Sequence, residues 1–389
     1  MARVGVRIGS GFSEHGDPRI AAIEAGTDAR AALGGRHADL VLVFFSGSHV
    51  SSCEAVLEGA GEALAPAVLA GCGAGGVLGA GRECEHGSGV AVWAATLGGG
   101  RARAFHAAPM STPDGVTVTG LPAVAGASAV VLLADPYSFP VDRALVALGR
   151  TAPRTPVMGG IASARSQDGQ GALLLGDRRV GEGAVGIVLE GVEVLPCVSQ
   201  GAAPIGPELT VTAVEGNVVR ELAGRPALDV LREAIEGLDP RERALIGGGL
   251  LLGTVIDGSG PDYGHGDFLV RGIVGVDPQA GTIAVGADVR PGQVVRLHAR
   301  DRDSADRDLR QGLALRNAAL GGSAAGALLF TCNGRGASLF GEEGHDVHAV
   351  EDELGGAPVA GFFAAGEIGP VGGENFVHGF TATVAVFAA

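Results

Sequence analysis

The run Asp39-Leu40-Val41-Leu42-Val43-Phe44-Phe45 stops at a small polar loop, Ser46-Gly47-Ser48-His49, and the same order of segments returns twice along the 389-residue chain. After this first loop come a helical segment at about 51–65, an apolar strand running into glycines at 67–76, and a last strand at 87–97. The second copy has a strand at 128–134, the loop Asp135-Pro136-Tyr137, a helix at 141–149 and strands at 156–161 and 183–190. The third has a strand at 327–330, the loop Thr331-Cys332-Asn333-Gly334-Arg335-Gly336, a helix at about 345–354 and strands at 358–363 and 379–387. From Asp39 to Gly71, from Ser128 to Gly159 and from Ala327 to Gly361 the offsets are 32, 31 and 34 residues. A spacing kept three times marks a repeated β-α-β-β unit. A fourth, degenerate copy is expected over 226–276, with a helix at 227–236 and strands at 245–252 and 268–276.

Each opening strand is an almost unbroken apolar run, so it is expected to be buried on both faces, as in parallel or mixed sheets covered by helices. The closing strands alternate less cleanly and suit hairpin pairing. The fold class is therefore α+β (α/β-like): two related lobes of repeated β-α-β-β units, with mixed sheets under helices. The lobes are assigned to 1–224 and 225–389. Their joint is placed at 201–206, with Pro204 and Pro207 close by, and in the segment on to Gly224. The alternating charges over 296–310 read as a solvated turn and helix face with local ion pairs.

Composition removes several function classes. Twenty-eight basic residues, every one an arginine, stand against 43 acids, a net charge of -15. A surface of that sign opposes nucleic acid and anionic lipid, which both call for a basic footprint. Apolar residues make up 46% and the mean hydropathy is +0.31, so there is material for a large core. The most apolar stretch, 244–256, contains three consecutive glycines and is too short to cross a membrane, so it reads as a buried strand. Arg3 and Arg7 fall where a secretory signal needs apolar residues, and a cytoplasmic location is expected. Cys53, Cys72, Cys84, Cys197 and Cys332 are dispersed without a C-x-x-C pair, which points to five free thiols and against disulfides or structural zinc. A chain without lysine cannot carry a Walker loop, and no cofactor is expected.

Several strings resemble the FIST family, named for F-box and intracellular signal transduction. In the middle of the chain these are Val198-Ser199-Gln200-Gly201-Ala202-Ala203-Pro204-Ile205-Gly206, Glu215-Gly216-Asn217 and Pro226-Ala227-Leu228. Farther on, Phe330-Thr331-Cys332-Asn333-Gly334-Arg335-Gly336 is followed by His345-Asp346. The ending, Pro358 through Pro370 with His378-Gly379-Phe380-Thr381, is the most specific. Gly71-Cys72, Gly79-Ala80-Gly81-Arg82-Glu83, Asp135-Pro136 and Gly159-Gly160-Ile161-Ala162-Ser163 fit the amino-terminal domain of the family. The resemblance runs from about residue 30 to the end and leaves no space for an F-box. It implies a bacterial-type FIST N domain followed by a FIST C domain, in a class regarded as sensory and proposed to bind small ligands such as amino acids. Ala202-Ala203 departs from the Cys-Arg often found in relatives, which removes a thiol or guanidinium there.

Ligands of parallel sheets gather beyond the carboxyl ends of the strands. If the three copies share a geometry, the loops carrying Ser46 and His49, Asp135, and Cys332 to Arg335 supply the site. Asn333 offers a donor and an acceptor, and Arg335 can grip a carboxylate through two parallel bonds. Glu367 could bind the ammonium end of an amino acid, with His378 nearby in sequence. The alternative is that Arg335 and Glu367 pair with each other and hold the lobe together. Cys332 with His345 or His378 allows a second reading, a thiol-dependent hydrolase or amidotransferase-like enzyme. His345 and His348 share one helical face but lack a sensibly spaced third metal ligand. Seven of the 13 phenylalanines lie from Phe330 onward and read as core. The expected partners are a small-molecule ligand held between the lobes and a separate signalling protein, without nucleic acid or membrane insertion.

Overall fold

The computed structural model describes residues 5–113, 115–256, 263 and 266–389. Two compact units emerge from its contacts. One comprises the chain up to Val198 together with Leu309–Val377 and Thr381–Ala389, and the other comprises Ser199–Asp308 with His378–Phe380.

All three repeats belong to the first unit. The first repeat contains β1 (Arg7–Ser13), α1 (Pro18–Ala32), β2 (Leu40–Ser46), α2 (Cys53–Leu64), β3 (Val68–Ala74), β4 (Val77–Gly79), β5 (Arg82–Cys84) and β6 (Val90–Thr96). The second contains β7 (Arg101–Thr112), β8 (Gly115–Thr119), β9 (Ala129–Ala134), α3 (Val141–Thr151), β10 (Val157–Ile161), β11 (Leu173–Leu175), β12 (Arg178–Val180) and β13 (Ala184–Glu190). After β14 (Val194–Gln200) the chain builds the second unit. That unit holds β15 (Ala202–Glu215), β16 (Val218–Leu222), β17 (Arg225–Pro226), α4 (Ala227–Glu236), α5 (Pro240–Leu245), β18 (Leu250–Val255), β19 (Phe268–Asp277), β20 (Thr282–Val285) and β21 (Val294–Arg300). The return runs through α6 (Arg302–Ala319) into the third repeat, with β22 (Ala324–Cys332), α7 (Ala337–Phe340), α8 (His345–Glu353), β23 (Val359–Ala364), β24 (Gly366–Val371), β25 (Glu374–His378) and β26 (Thr381–Ala388).

The repeats fold alike down to the residue. In each, the opening strand pairs parallel with the second strand and antiparallel with the closing strand. Gly71 lies opposite Val43, Gly159 opposite Leu132 and Gly361 opposite Leu329. A Cβ on these glycines would sit 2.2, 2.0 and 1.7 Å from the carbonyl oxygens of Val43, Leu132 and Leu329. The glycine kept at a near-constant offset in the sequence is therefore needed for the same backbone approach in every repeat.

Each repeat also lends its short hairpin to another. The first sheet runs β1-β6-β2-β3-β11-β12, the second β8-β7-β13-β9-β10-β24-β25, and the third β14-β26-β22-β23-β4-β5. The hairpin of repeat two thus completes the sheet of repeat one, that of repeat three completes repeat two, and that of repeat one completes repeat three. Strand alternation then sorts the side chains. Leu42, Phe44, Val131, Leu133, Leu328 and Phe330 point into one shared core. Their neighbours face outward: Val43 and Phe45 under α1 and α2, Leu132 under α3, and Leu329 under α6 and α8. Phe44, Phe330 and Phe362 meet in the shared core with ring centroids 5.2 to 6.4 Å apart. Complete burial of the opening strands explains their unbroken apolar sequence.

The second unit is an antiparallel sheet ordered β15-β21-β18-β19-β20-β16-β17, with β15 also paired to β16. Residues 226–276 are therefore not a fourth copy. The expected helix is present as α4, but β18 and β19 pair antiparallel with each other, and the start of the expected first strand is helical. The segment read as a joint, 201–224, consists mainly of the strands β15 and β16. Pro207 is tolerated because β15 shifts register between Ile205 and Glu208, where a residue lacking N–H costs no ladder bond, whereas Pro204 lies in the paired part of β15, opposite His298 on β21. The charge run over 296–310 is divided between β21 and α6, and Asp301 accepts hydrogen bonds from Asp303 N and Ser304 Oγ at the head of that helix.

The repeat geometry predicts that Gly361→Ala destabilises the protein by about 1–3 kcal/mol or more, because only backbone can yield. Gly61→Ala, on α2 with nothing near its missing Cβ, should be neutral or stabilising by up to ~1 kcal/mol. Denaturant melts of the two variants check this, and equal effects would contradict it.

Candidate functional site

Register carries the equivalence of the repeats into the loops. Counting three residues on from Val43, Leu132 and Leu329 gives Ser46, Asp135 and Cys332, each at the carboxyl end of its opening strand. The ends of the second strands meet as well. Gly75 N donates to Ser163 Oγ at 2.7 Å, Ser163 Oγ donates to the Phe363 carbonyl, and Asn333 N donates to the Ala364 carbonyl at 3.0 Å. A Cβ on Gly75 would lie 3.7 Å from Asn333 Oδ1. Loops from all three repeats thus converge around Gly75, Ser163 and Asn333.

Beside this convergence lies a polar cluster sealed from solvent. Arg335 is 1% exposed and donates from Nε to Asp346 Oδ2 at 2.8 Å and from Nη2 to Asp346 Oδ1 at 3.0 Å. Thr331 Oγ1 donates to Asp346 Oδ2 at 2.6 Å, and His345 Nδ1 lies 3.1 Å from Asp346 Oδ1. The His345 ring stacks on Phe340, over which the Arg335 guanidinium also sits. Burial would push the Asp346 carboxyl upward, but Arg335, His345 and Thr331 together hold it well below the usual carboxylate range. Arg335 therefore pairs with Asp346, on the first turn of α8, and its bidentate fork is already occupied.

Glu367 is fully buried on the hairpin strand β24, opposite Gly160 of repeat two. Its Oε2 accepts from Thr381 N at 3.1 Å and Thr381 Oγ1 at 2.8 Å. Burial pushes its carboxyl up to about 8, against the hydrogen bonds from Thr381 and the field of Arg335. Two atoms of this cluster, Arg335 Nη1 and Glu367 Oε1, are buried without a hydrogen-bond partner. Orphans of this kind are uncommon in folded proteins.

Two acids from repeat one support the cluster. Glu83 on β5 accepts from Gly344 N and Val347 N at the start of α8, and burial together with nearby Asp346 pushes its carboxyl up to about 7. Glu85 accepts from Ala337 N at 2.7 Å, and a Cβ at Gly336 would collide with its carboxylate.

The other expected residues serve their own loops. Ser46 Oγ donates to the Gly87 carbonyl and accepts from Gly89 N. His49 is buried with Nε2 3.1 Å from the His15 carbonyl, and burial lowers its pKa. Asp135 accepts from Arg165 Nε and Nη2 and from Tyr137 N, Ser138 N and Ser138 Oγ. His378 is buried at the end of β25, in the short segment that packs with the second unit. Four of the five free cysteines are buried, while Cys332 is half-buried within electrostatic reach of Arg335. The structure therefore brings together Cys332, Asn333, Arg335 and Glu367. Sequence reading had not assigned Asp346, Thr331, Thr381 and Glu83 to the site, although Asp346 stands on the face of α8 that also buries Val347 and Val350.

A triplicated α+β scaffold with a buried polar cluster beside the meeting of its loops defines the class. The FIST N domain matches residues 39–225 and the FIST C domain residues 227–370, so the chain belongs to the FIST family, which is associated with sensing in signal transduction. An uncharacterized protein of Mycobacterium tuberculosis strain H37Rv is 42% identical over 383 residues, covering 98% of this chain and 100% of the relative. One of Mycobacterium bovis is 41% identical over 383 residues, covering 98% and 99%. Among the described residues, no helix is long and apolar enough to cross a membrane.

Arg335→Met should cost about 3–5 kcal/mol, because it strands a buried Asp346 charge. The double variant Arg335→Met/Asp346→Leu should regain most of that loss. Denaturant melts of the single and double variants measure it, and a double variant as unstable as the single would refute the pairing.

Proposed function

We propose that the protein is a cytoplasmic small-molecule sensor that takes an amino acid or a related metabolite and passes its occupancy to a separate signalling protein. The supporting observation is the pair of unpartnered, buried polar atoms, Arg335 Nη1 and Glu367 Oε1, beside the convergence of the three loops. A buried polar atom without a partner costs roughly 1–3 kcal/mol, so a ligand group that satisfies it gains that amount over water. Exposed Asn333 and half-buried Cys332, which precede Arg335 in the same loop, form the rim of the proposed site. Sensing further requires that the ligand bind one conformation better than another. Opening the sealed cluster to admit a ligand would supply that difference.

A second reading is favoured by one observation. Cys332 is the most accessible of the five thiols and lies within electrostatic reach of the Arg335 guanidinium. Loss of a turnover activity in Cys332→Ala with ligand binding retained would favour the enzyme.

The sensor reading predicts that a thermal-shift panel of amino acids and related metabolites contains a stabilising compound. The gain should be about 2.7 kcal/mol at one hundred times its Kd. The same compound should produce a clearly smaller shift in Asn333→Ala, whose own stability should be close to wild type because the side chain is exposed. A panel without any stabilising member would contradict the reading.

A further inference from the structure

The two orphan atoms differ in what they can accept from a ligand. Arg335 Nη1 carries only N–H and can only donate. Glu367 has committed Oε2 to two donors from Thr381, one from the backbone and one from the hydroxyl, while Oε1 faces no donor. An ionised carboxylate would leave that oxygen uncompensated in a fully buried place, whereas a carboxyl group can hold its proton on Oε1 and become a donor.

We infer that the ligand group received here is a hydrogen-bond acceptor, the carboxylate of a small organic acid, held by Arg335 Nη1 and by a Glu367 carboxyl that donates from Oε1. No ammonium is required. This rests on the sensor reading and narrows it: Glu367 acts as a donor to the acid end and not as an anchor for an amine. The charges around it agree. Arg335, in the loop after β22, lies within electrostatic reach of Glu367 with its charge matched by Asp346 on α8, and β26 contributes the neutral Thr381. With Glu367 neutral, an arriving carboxylate meets one ion pair and two donors. With Glu367 ionised, it would meet an excess of negative charge. The half-buried Cys332 thiol and His345, whose Nδ1 lies 3.1 Å from Asp346 Oδ1, are further titratable neighbours of this cluster.

A consequence is that binding is linked to one proton. Burial keeps the Glu367 proton in place up to a pH of about 8. Affinity for an organic acid should be flat below that pH and fall about tenfold per unit above it, since only the protonated protein binds.

Calorimetry on the full chain tests this with three matched compounds that share one side chain: an amino acid, the corresponding 2-hydroxy acid, and the amine lacking the carboxylate. The amino acid and the hydroxy acid are expected to bind within about tenfold of each other, and the amine not to bind. For the hydroxy acid, affinity should drop at least about tenfold between pH 7 and pH 9.5 in wild type. Glu367→Gln, whose amide donates at every pH, should bind with little change across that range. This variant keeps Cys332, so a surviving pH dependence would assign the proton elsewhere and overturn the inference. Binding of the amine, or of the amino acid without the hydroxy acid, would also overturn it while leaving the sensor reading intact. Failure of all three compounds, extended across the metabolite panel, would overturn the sensor reading itself.

Discussion

No repeat of the first unit can satisfy its own sheet. The second strands β3, β10 and β23 would each present a bare row of N–H and C=O groups at one edge, and each is covered by a hairpin from another repeat. An unpaired edge is costly when buried and prone to aggregate when exposed, so the three exchanges close the ring of repeats upon itself. The segments matching FIST N and FIST C are interleaved as a result: β4 and β5 from the first extend the sheet of β22 and β23 in the second, and β24 at the end of the second pairs with β10 of the first.

The polar cluster follows from this exchange. Glu367 rides on the hairpin that crosses to repeat two, while Glu83 rides on the one that crosses to repeat three and accepts the first N–H groups of α8. A carboxylate at a helix amino terminus is favourable in itself. Here it also sets the position of Asp346, and through Asp346 that of Arg335. Burying this ion pair has a desolvation cost that Coulomb attraction alone does not clearly exceed, so its value lies more in fixing one arrangement of the loops than in raw stability. The fork of Arg335 is spent on that task, which leaves a single guanidinium nitrogen for a ligand.

Much of this was legible in the sequence because it depends on local patterns. The apolar runs at Leu40–Ser46 and Ala129–Ala134 declare strands buried on both faces, and the glycines at 71, 159 and 361 declare one repeated close approach. The hairpin exchange was not legible, since strands of three residues such as Val77–Gly79 carry no periodicity and their partners lie far along the chain. The same reason hid the partner of Arg335. A buried aspartate at a helix start looks like an ordinary cap until the helix is packed. The strand β15 around Pro204 and Pro207 was missed for the opposite reason: proline argues against strand locally, and pairing with β21, with a register shift at Pro207, overrules it.

Hydrogen exchange measured residue by residue, under conditions where global unfolding is the slowest opening, tests closure of the ring most directly. Amides of β2, β9 and β22 should exchange through one opening with a common free energy, because loss of any hairpin uncovers another repeat. Release of β22 through its own lower-energy opening, while β2 and β9 remain protected, would show the repeats to be separable and contradict the account.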